Sequence, residues 1–272
     1  SMILPFASTI TPTMMESAQT KVTFGADGKI LTPLDTQFKT KNELGANYGM
    51  ADASEIGKEW YEQAAALAAY VIGKTADEVL GIAVNDEQHP ADADLKASVT
   101  IAIGGYVSTI VKAVENAREL GASESDRISL GVVTNIARSK DAAGTEAGLV
   151  QIYSTYTALT KDADGRITSC VIDASQSNVN FDASGKIITD LTAAPQTKNE
   201  LKDDYGMKAA SSVGKEWYEQ AAAFAQYVTG KTASEVSGIA VDETGHAADS
   251  DLTASVTIGI GDFLAAIEKA AK

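Results

Sequence analysis

The stretch EIGKEWYEQAAALAAYVIGK places Trp60, Ala64, Leu67 and Val71 at i, i+4, i+7 and i+11, one face of a helix. Gly73 is positioned to end that helix. Thr75 then caps a short helix through ADEVLGI. After an acidic loop, LKASVTIAIGGYVSTIVKAVENAREL predicts one long last helix, whose first turns are weakened by the β-branched residues around Thr100. Gly104 and Gly105 fall inside it, where they would permit close helix approach. Elsewhere the period is two. AGLVQIYSTYTALTKDADGRITSCVIDASQSNVNFDASGKIITDL alternates β-branched and aromatic residues with polar ones, and Asp164-Gly165 and Ser184-Gly185 mark turns. The connections are too short for parallel crossovers, so antiparallel hairpins are expected. QTKVTFGADGKILTPL repeats the pattern near the start of the chain.

The second half repeats the first. KNELGANYGMADASEIGKEWYEQAAALAAYVIGKTADEVLGIAV begins at Lys41, and KNELKDDYGMKAASSVGKEWYEQAAAFAQYVTGKTASEVSGIAV begins at Lys198, an offset of 157 residues. Between positions 57–84 and 214–241, only Leu67/Phe224, Ala69/Gln226, Ile72/Thr229, Asp77/Ser234 and Leu80/Ser237 differ. A period this long is duplication of a whole domain, not a solenoid repeat. The expected architecture is α+β: two homologous domains, 1–118 and 119–272, each an antiparallel sheet with helices packed on it. TITPTMMESAQTKVTF aligns with ITSCVIDASQSNVNF, so the first repeat is expected to lack its opening strands. We expect a natural chain that continues upstream into an export signal or lipid anchor, with Ser1-Met2 an added start. That places the protein outside the bacterial cell or on its surface.

Composition narrows the partners. The chain has 272 residues, 44% hydrophobic and 22% charged, which suits ordinary buried cores. Its formal net charge of −15 opposes nucleic acid, whose binding rests on Lys and Arg at phosphates, and an anionic membrane face. No run approaches a transmembrane span. The single cysteine, Cys170, lies in the alternating ITSCVIDAS and reads as a small buried strand residue.

The least ordinary residues lie in the acidic loop, NDEQHPADADLKASVTI in one repeat and DETGHAADSDLTASVTI in the other. The only two histidines, His89 and His246, align here. Asp92 or Asp94 could cap the last helix. Two Asp and a His are too few for a calcium loop. His89 could act as a base near neutral pH, but no nucleophile accompanies it. No Ser/His/Asp order or paired carboxylates point to a hydrolase. Trp60, Tyr61 and Tyr48 recur as Trp217, Tyr218 and Tyr205; such aromatics fill cores or stack on a ring-shaped ligand.

This loop resembles the motif of the FMN-binding domain family, found in flavin-carrying subunits of sodium-pumping and Rnf-type electron-transfer complexes and in exported flavoproteins. The family motif reads roughly Asp-Ala/Gly-x-Ser-Gly-Ala-Thr-x-Thr-Ser, with FMN esterified to the Thr after Ala. Asp92, Asp94, Ala97, Ser98 and Thr100 fall on it, as do Asp249, Asp251, Ala254, Ser255 and Thr257. The resemblance implies FMN at these residues, on Ser98 and Ser255 in place of the acceptor Thr, and a redox partner or small ligand. Leu95-Lys96 and Leu252-Thr253 stand where the family has Ser-Gly, which puts attachment in doubt. The two functional readings are an electron-transfer accessory, not itself an enzyme, and a non-redox surface binding or structural protein that has lost its flavin.

Overall fold

The computed structural model describes Ile10 and residues 13–271. The chain forms two compact units, one of Ser1–Ser17 with Thr40–Glu119 (unit 1), the other of Ala18–Lys39 with Leu120–Lys272 (unit 2). Ser1, Met2 and the first part of the expected N-terminal strand lie outside the described residues.

Unit 1 is helical. Its elements are α1 (Lys41–Leu44), α2 (Trp60–Val71), α3 (Ala76–Leu80), α4 (Ala93–Lys96) and α5 (Gly104–Glu115). Their starts follow from the sequence. Thr40 with Glu43 and Thr75 with Glu78 form capping boxes, and Glu59 with Glu62 forms the same reciprocal pair at α2. The core joins Leu67 and Val71 of α2 to Val79, Leu95, Val99, Ile103, Val107 and Ile110. Trp60 is buried, as its helical spacing predicts.

Two expectations need correction. The long last helix is broken: α4 ends at Lys96, residues 97–103 form a turn, and α5 starts afresh at Gly104. Thr100 is therefore not on a helix face, and Gly104 and Gly105 begin a helix instead of lying within one. The break is fixed from outside, because the Gln63 side-chain carbonyl accepts the backbone N–H of Thr100 (2.7 Å) and Ile101 (3.2 Å). Those donors cannot then serve a helix. The first repeat's expected sheet is also absent among the described residues. Thr13–Lys39 holds a single bridge, Phe24 to Ile30, and its hairpin belongs to unit 2.

Unit 2 carries the antiparallel sheet β1 (Arg127–Asn135), β2 (Gly148–Lys161) and β3 (Ile167–Phe181), in the order β1-β2-β3. Tyr156 of β2 stands opposite Val132 and Asp173, which sets the register. The expected turn at Asp162–Arg166 joins β2 to β3, with Gly165 at φ 77°. The helices follow: α6 (Lys198–Leu201), α7 (Trp217–Val228), α8 (Ala233–Ser237), α9 (Ser250–Thr253) and α10 (Gly261–Ala271). α7 and α10 lay Trp217, Phe224, Phe263 and Ile267 against Leu159, Ile167 and Ile172 of the sheet. Cys170 is buried in β3, and burial pushes its thiol up to about 12. The hairpin 22–30 rests on its counterpart 179–187, with Phe24 stacked on Phe181 at 4.3 Å. No helix among the described residues is long and apolar enough to cross a membrane.

Candidate functional site

The motif residues do local structural work. Asp92 is the N-cap of α4, accepting from Asp94 N (3.0 Å) and Leu95 N (3.1 Å), so it caps this short helix and not the last one. Asp249 does the same for α9 at Asp251 N (2.8 Å). Asp94 and Asp251 are exposed first-turn residues. Ala97 and Ala254 close the two helices. Ser98 and Ser255 come after these helices, and their hydroxyls donate to Leu95 O (3.2 Å) and Leu252 O (3.4 Å). They sit at the carbonyl end of a helix, where a phosphate is disfavoured, and the N-terminal amides are already taken by Asp92 and Asp249. Thr100 and Thr257 are half-buried and bonded through both N–H and hydroxyl to Gln63 and Gln220.

These glutamines are completely buried and were missed in the sequence, where Gln in an Ala-rich helix reads as an ordinary polar-face residue. Each Nε2 donates backward, from Gln63 to Ser54 Oγ (3.0 Å) and Lys58 O (3.1 Å), and from Gln220 to Ser211 Oγ and Lys215 O (both 3.1 Å). One amide thus ties the segment before the long helix to the motif loop after it. His89 and His246 align in sequence but differ in partner. The ring of His89 meets Thr100 O, and that of His246 meets Thr244 Oγ1 at 2.7 Å.

In unit 1 the loop opens onto a cleft of about 660 Å³. Lys41, Tyr48, Trp60 and Tyr106 line it, together with His89, Lys96 and Thr100 of the loop region; Glu55 and Glu87 add carboxylates. The volume lies within the range of small-molecule sites. Lys41 Nζ stands 4.8 Å from the Tyr48 ring centre and 5.1 Å from that of Trp60. The Trp60 indole N–H donates to Tyr106 OH at 3.0 Å. Ser98 does not line this cleft.

The corresponding place in unit 2 is filled. Lys198 Nζ lies 4.5 Å from the Tyr205 ring centre and 5.0 Å from that of Trp217. A third ring, Tyr153 of β2, covers it at 4.6 Å, and Nζ donates to the Tyr153 OH at 3.0 Å. Only 4% of Lys198 is exposed. Burial, then the Arg138 charge, pushes its amine down to about 8, with Asp173 opposing. The folded chain holds this proton less tightly than the unfolded chain, whose ordinary value is 10.5. Its penalty, roughly 3 kcal/mol, is in full force below pH 8 and is relieved as pH rises towards 10.5. An NMR titration of the Lys198 ε-carbon should give a midpoint near 8. Between pH 8 and 9, unfolding stability should climb more steeply in the parent than in Lys198→Met; equal slopes would refute the buried-amine assignment.

The cleft is thus walled by aromatic rings and bordered by the ammonium groups of Lys41 and Lys96, with the Gln63-braced loop among its lining. No known protein family matches the chain, and no solved structure matches it. A stretch of 41 residues, 15% of the chain, is 51% identical to the chlorophenol reductase of Desulfitobacterium hafniense. The matched stretch spans 12% of that protein's length.

Proposed function

We propose that the chain is a tandem of two homologous domains of FMN-binding-domain type, exported or anchored at a bacterial cell surface, that serves electron transfer as a flavin-holding accessory. The cleft of unit 1 carries this reading. Tyr48 and Tyr106 supply ring faces, while Lys96 and His89 supply donors for a phosphate. The flavin is held there without a covalent bond, since Ser98 faces the Leu95 carbonyl and lies outside the lining. Bound flavin supplies one- and two-electron chemistry; the protein supplies position and charge. The short likeness to a reductase supports a redox setting. Unit 2 holds no flavin, because Tyr153 and Lys198 close the corresponding place on each other. The second reading, a non-redox surface binding protein, draws on Lys96 and Thr253 at the motif's glycine positions.

Titration with FMN, followed by quenching of flavin fluorescence, should give about one equivalent per chain. Denaturation should release it and leave the intact mass unmodified. Reversing the charge in Lys96→Glu should weaken binding about tenfold. Absence of quenching at millimolar flavin would reject the flavin reading in favour of the non-redox one.

A further inference from the structure

Building on the reading of the unit 1 cleft as a binding site, we propose that its ligand is a small-molecule phenol, or a ring bearing an equivalent oxygen, gripped at that oxygen by Lys41. Unit 2 supplies the template. Lys198, Tyr205 and Trp217 hold a phenol, the side chain of Tyr153, with its ring over the ammonium and its oxygen 3.0 Å from Nζ. Lys41, Tyr48 and Trp60 are the same three residues at an offset of 157, with nearly the same ammonium-to-ring distances. Unit 1 has no described strand to bring in a third ring. Among the described residues, no side-chain oxygen accepts from Lys41 Nζ.

Two substitutions favour a free ligand over a strand. In unit 2 the Trp217 ring packs edge-on against Phe263, which offers its indole N–H no hydroxyl. In unit 1 the Trp60 indole N–H is satisfied within the unit, by Tyr106, which stands where unit 2 has Phe263. The buried donor is thus paired without a strand, while the ammonium still borders the cleft. The second substitution is on α5. β1 presses on α10 at Ala266 and Ala270, where Gly131 meets the helix backbone. The counterparts on α5 are Thr109 and Ala113, both exposed, and the branched Thr109 side chain obstructs so close an approach. The α5 face is therefore less suited than that of α10 to so close a strand, which favours a ligand that diffuses in. A phenol there meets two ring walls, and its oxygen accepts a charge-assisted hydrogen bond.

Calorimetric titration of the full chain with 4-nitrophenol, 4-nitroanisole and the peptide QIYSTYT tests this. We expect 4-nitrophenol to bind at one site, at least tenfold tighter than 4-nitroanisole, which cannot place an ionised oxygen on Lys41. Lys41→Met should weaken 4-nitrophenol at least tenfold, and Lys41→Arg should recover part of the loss. Equal binding of the two nitro compounds, or binding unchanged in Lys41→Met, would overturn the assignment. Binding of the peptide without 4-nitrophenol would give the site to a protein strand and equally overturn it. FMN titration separates the two readings. FMN bound equally by the parent and Lys41→Met, without phenol binding, ends the phenol assignment alone. Phenol binding without FMN ends the flavin reading alone.

Discussion

Gly131→Ala should destabilise unit 2 by about 3 kcal/mol or more, the upper end of overpacking costs, and Gly131→Val should prevent its folding. A Cβ at Gly131 would fall on the Ala266 carbonyl oxygen, with Ala270 N at 2.7 Å and the Ala266 carbonyl carbon at 3.0 Å. All three are backbone atoms of α10, so no side-chain rotation relieves the clash. The helix must retreat as a body, and it anchors Phe263, Ala266, Ile267 and Ala270, all buried against the sheet. Backing away opens space between close-packed layers, which forfeits dispersion contacts on both sides. Urea unfolding followed by circular dichroism gives the measurement. A midpoint unchanged in Gly131→Ala would mean that α10 does not sit this close to β1.

What the sequence disclosed and what it hid divide along sequence distance. The α2 and α7 helices were readable because their apolar period is local, as are the reciprocal Glu pairs at their starts. The strands β2 and β3 were readable because alternation and the Asp162–Arg166 turn are local too. The end of α4 was not, since the carbonyl that diverts Thr100 and Ile101 belongs to Gln63, 37 and 38 residues away. The hairpin 22–30 has the right turn residues, but its partner surface, around Phe181, lies in the other repeat. The site followed the same rule. Asp92 as a cap is readable from its place before Ala93. The aromatic enclosure of Lys198 needs Tyr153, 45 residues upstream on β2, and without that ring nothing marks Lys41 as the residue facing an open cleft.

Gln63→Leu and Gln220→Leu should each cost about 3–5 kcal/mol, because several buried groups lose partners at once, at about 1–3 kcal/mol apiece. Leucine has similar volume, so lost packing contributes little. The loss is in polar pairing. In unit 2 the N–H groups of Thr257 and Ile258 and the Lys215 carbonyl would all be stranded. Unit 1 has the same arrangement at Thr100, Ile101 and Lys58. The two variants differ in a second readout. Gln63 holds the loop whose Lys96, Thr100, Ile101 and Ala102 line the cleft, so Gln63→Leu should abolish ligand binding even where the chain remains folded. Gln220 braces the loop of unit 2, where Tyr153 and Lys198 close the corresponding place on each other, so Gln220→Leu should lower stability and leave ligand affinity within about twofold, as sites without shared partners do. Differential scanning calorimetry and ligand titration on both proteins decide the matter. If both variants lose binding equally, unit 1 is not the sole ligand-holding unit. If neither loses stability, the buried amides do not brace the motif loops.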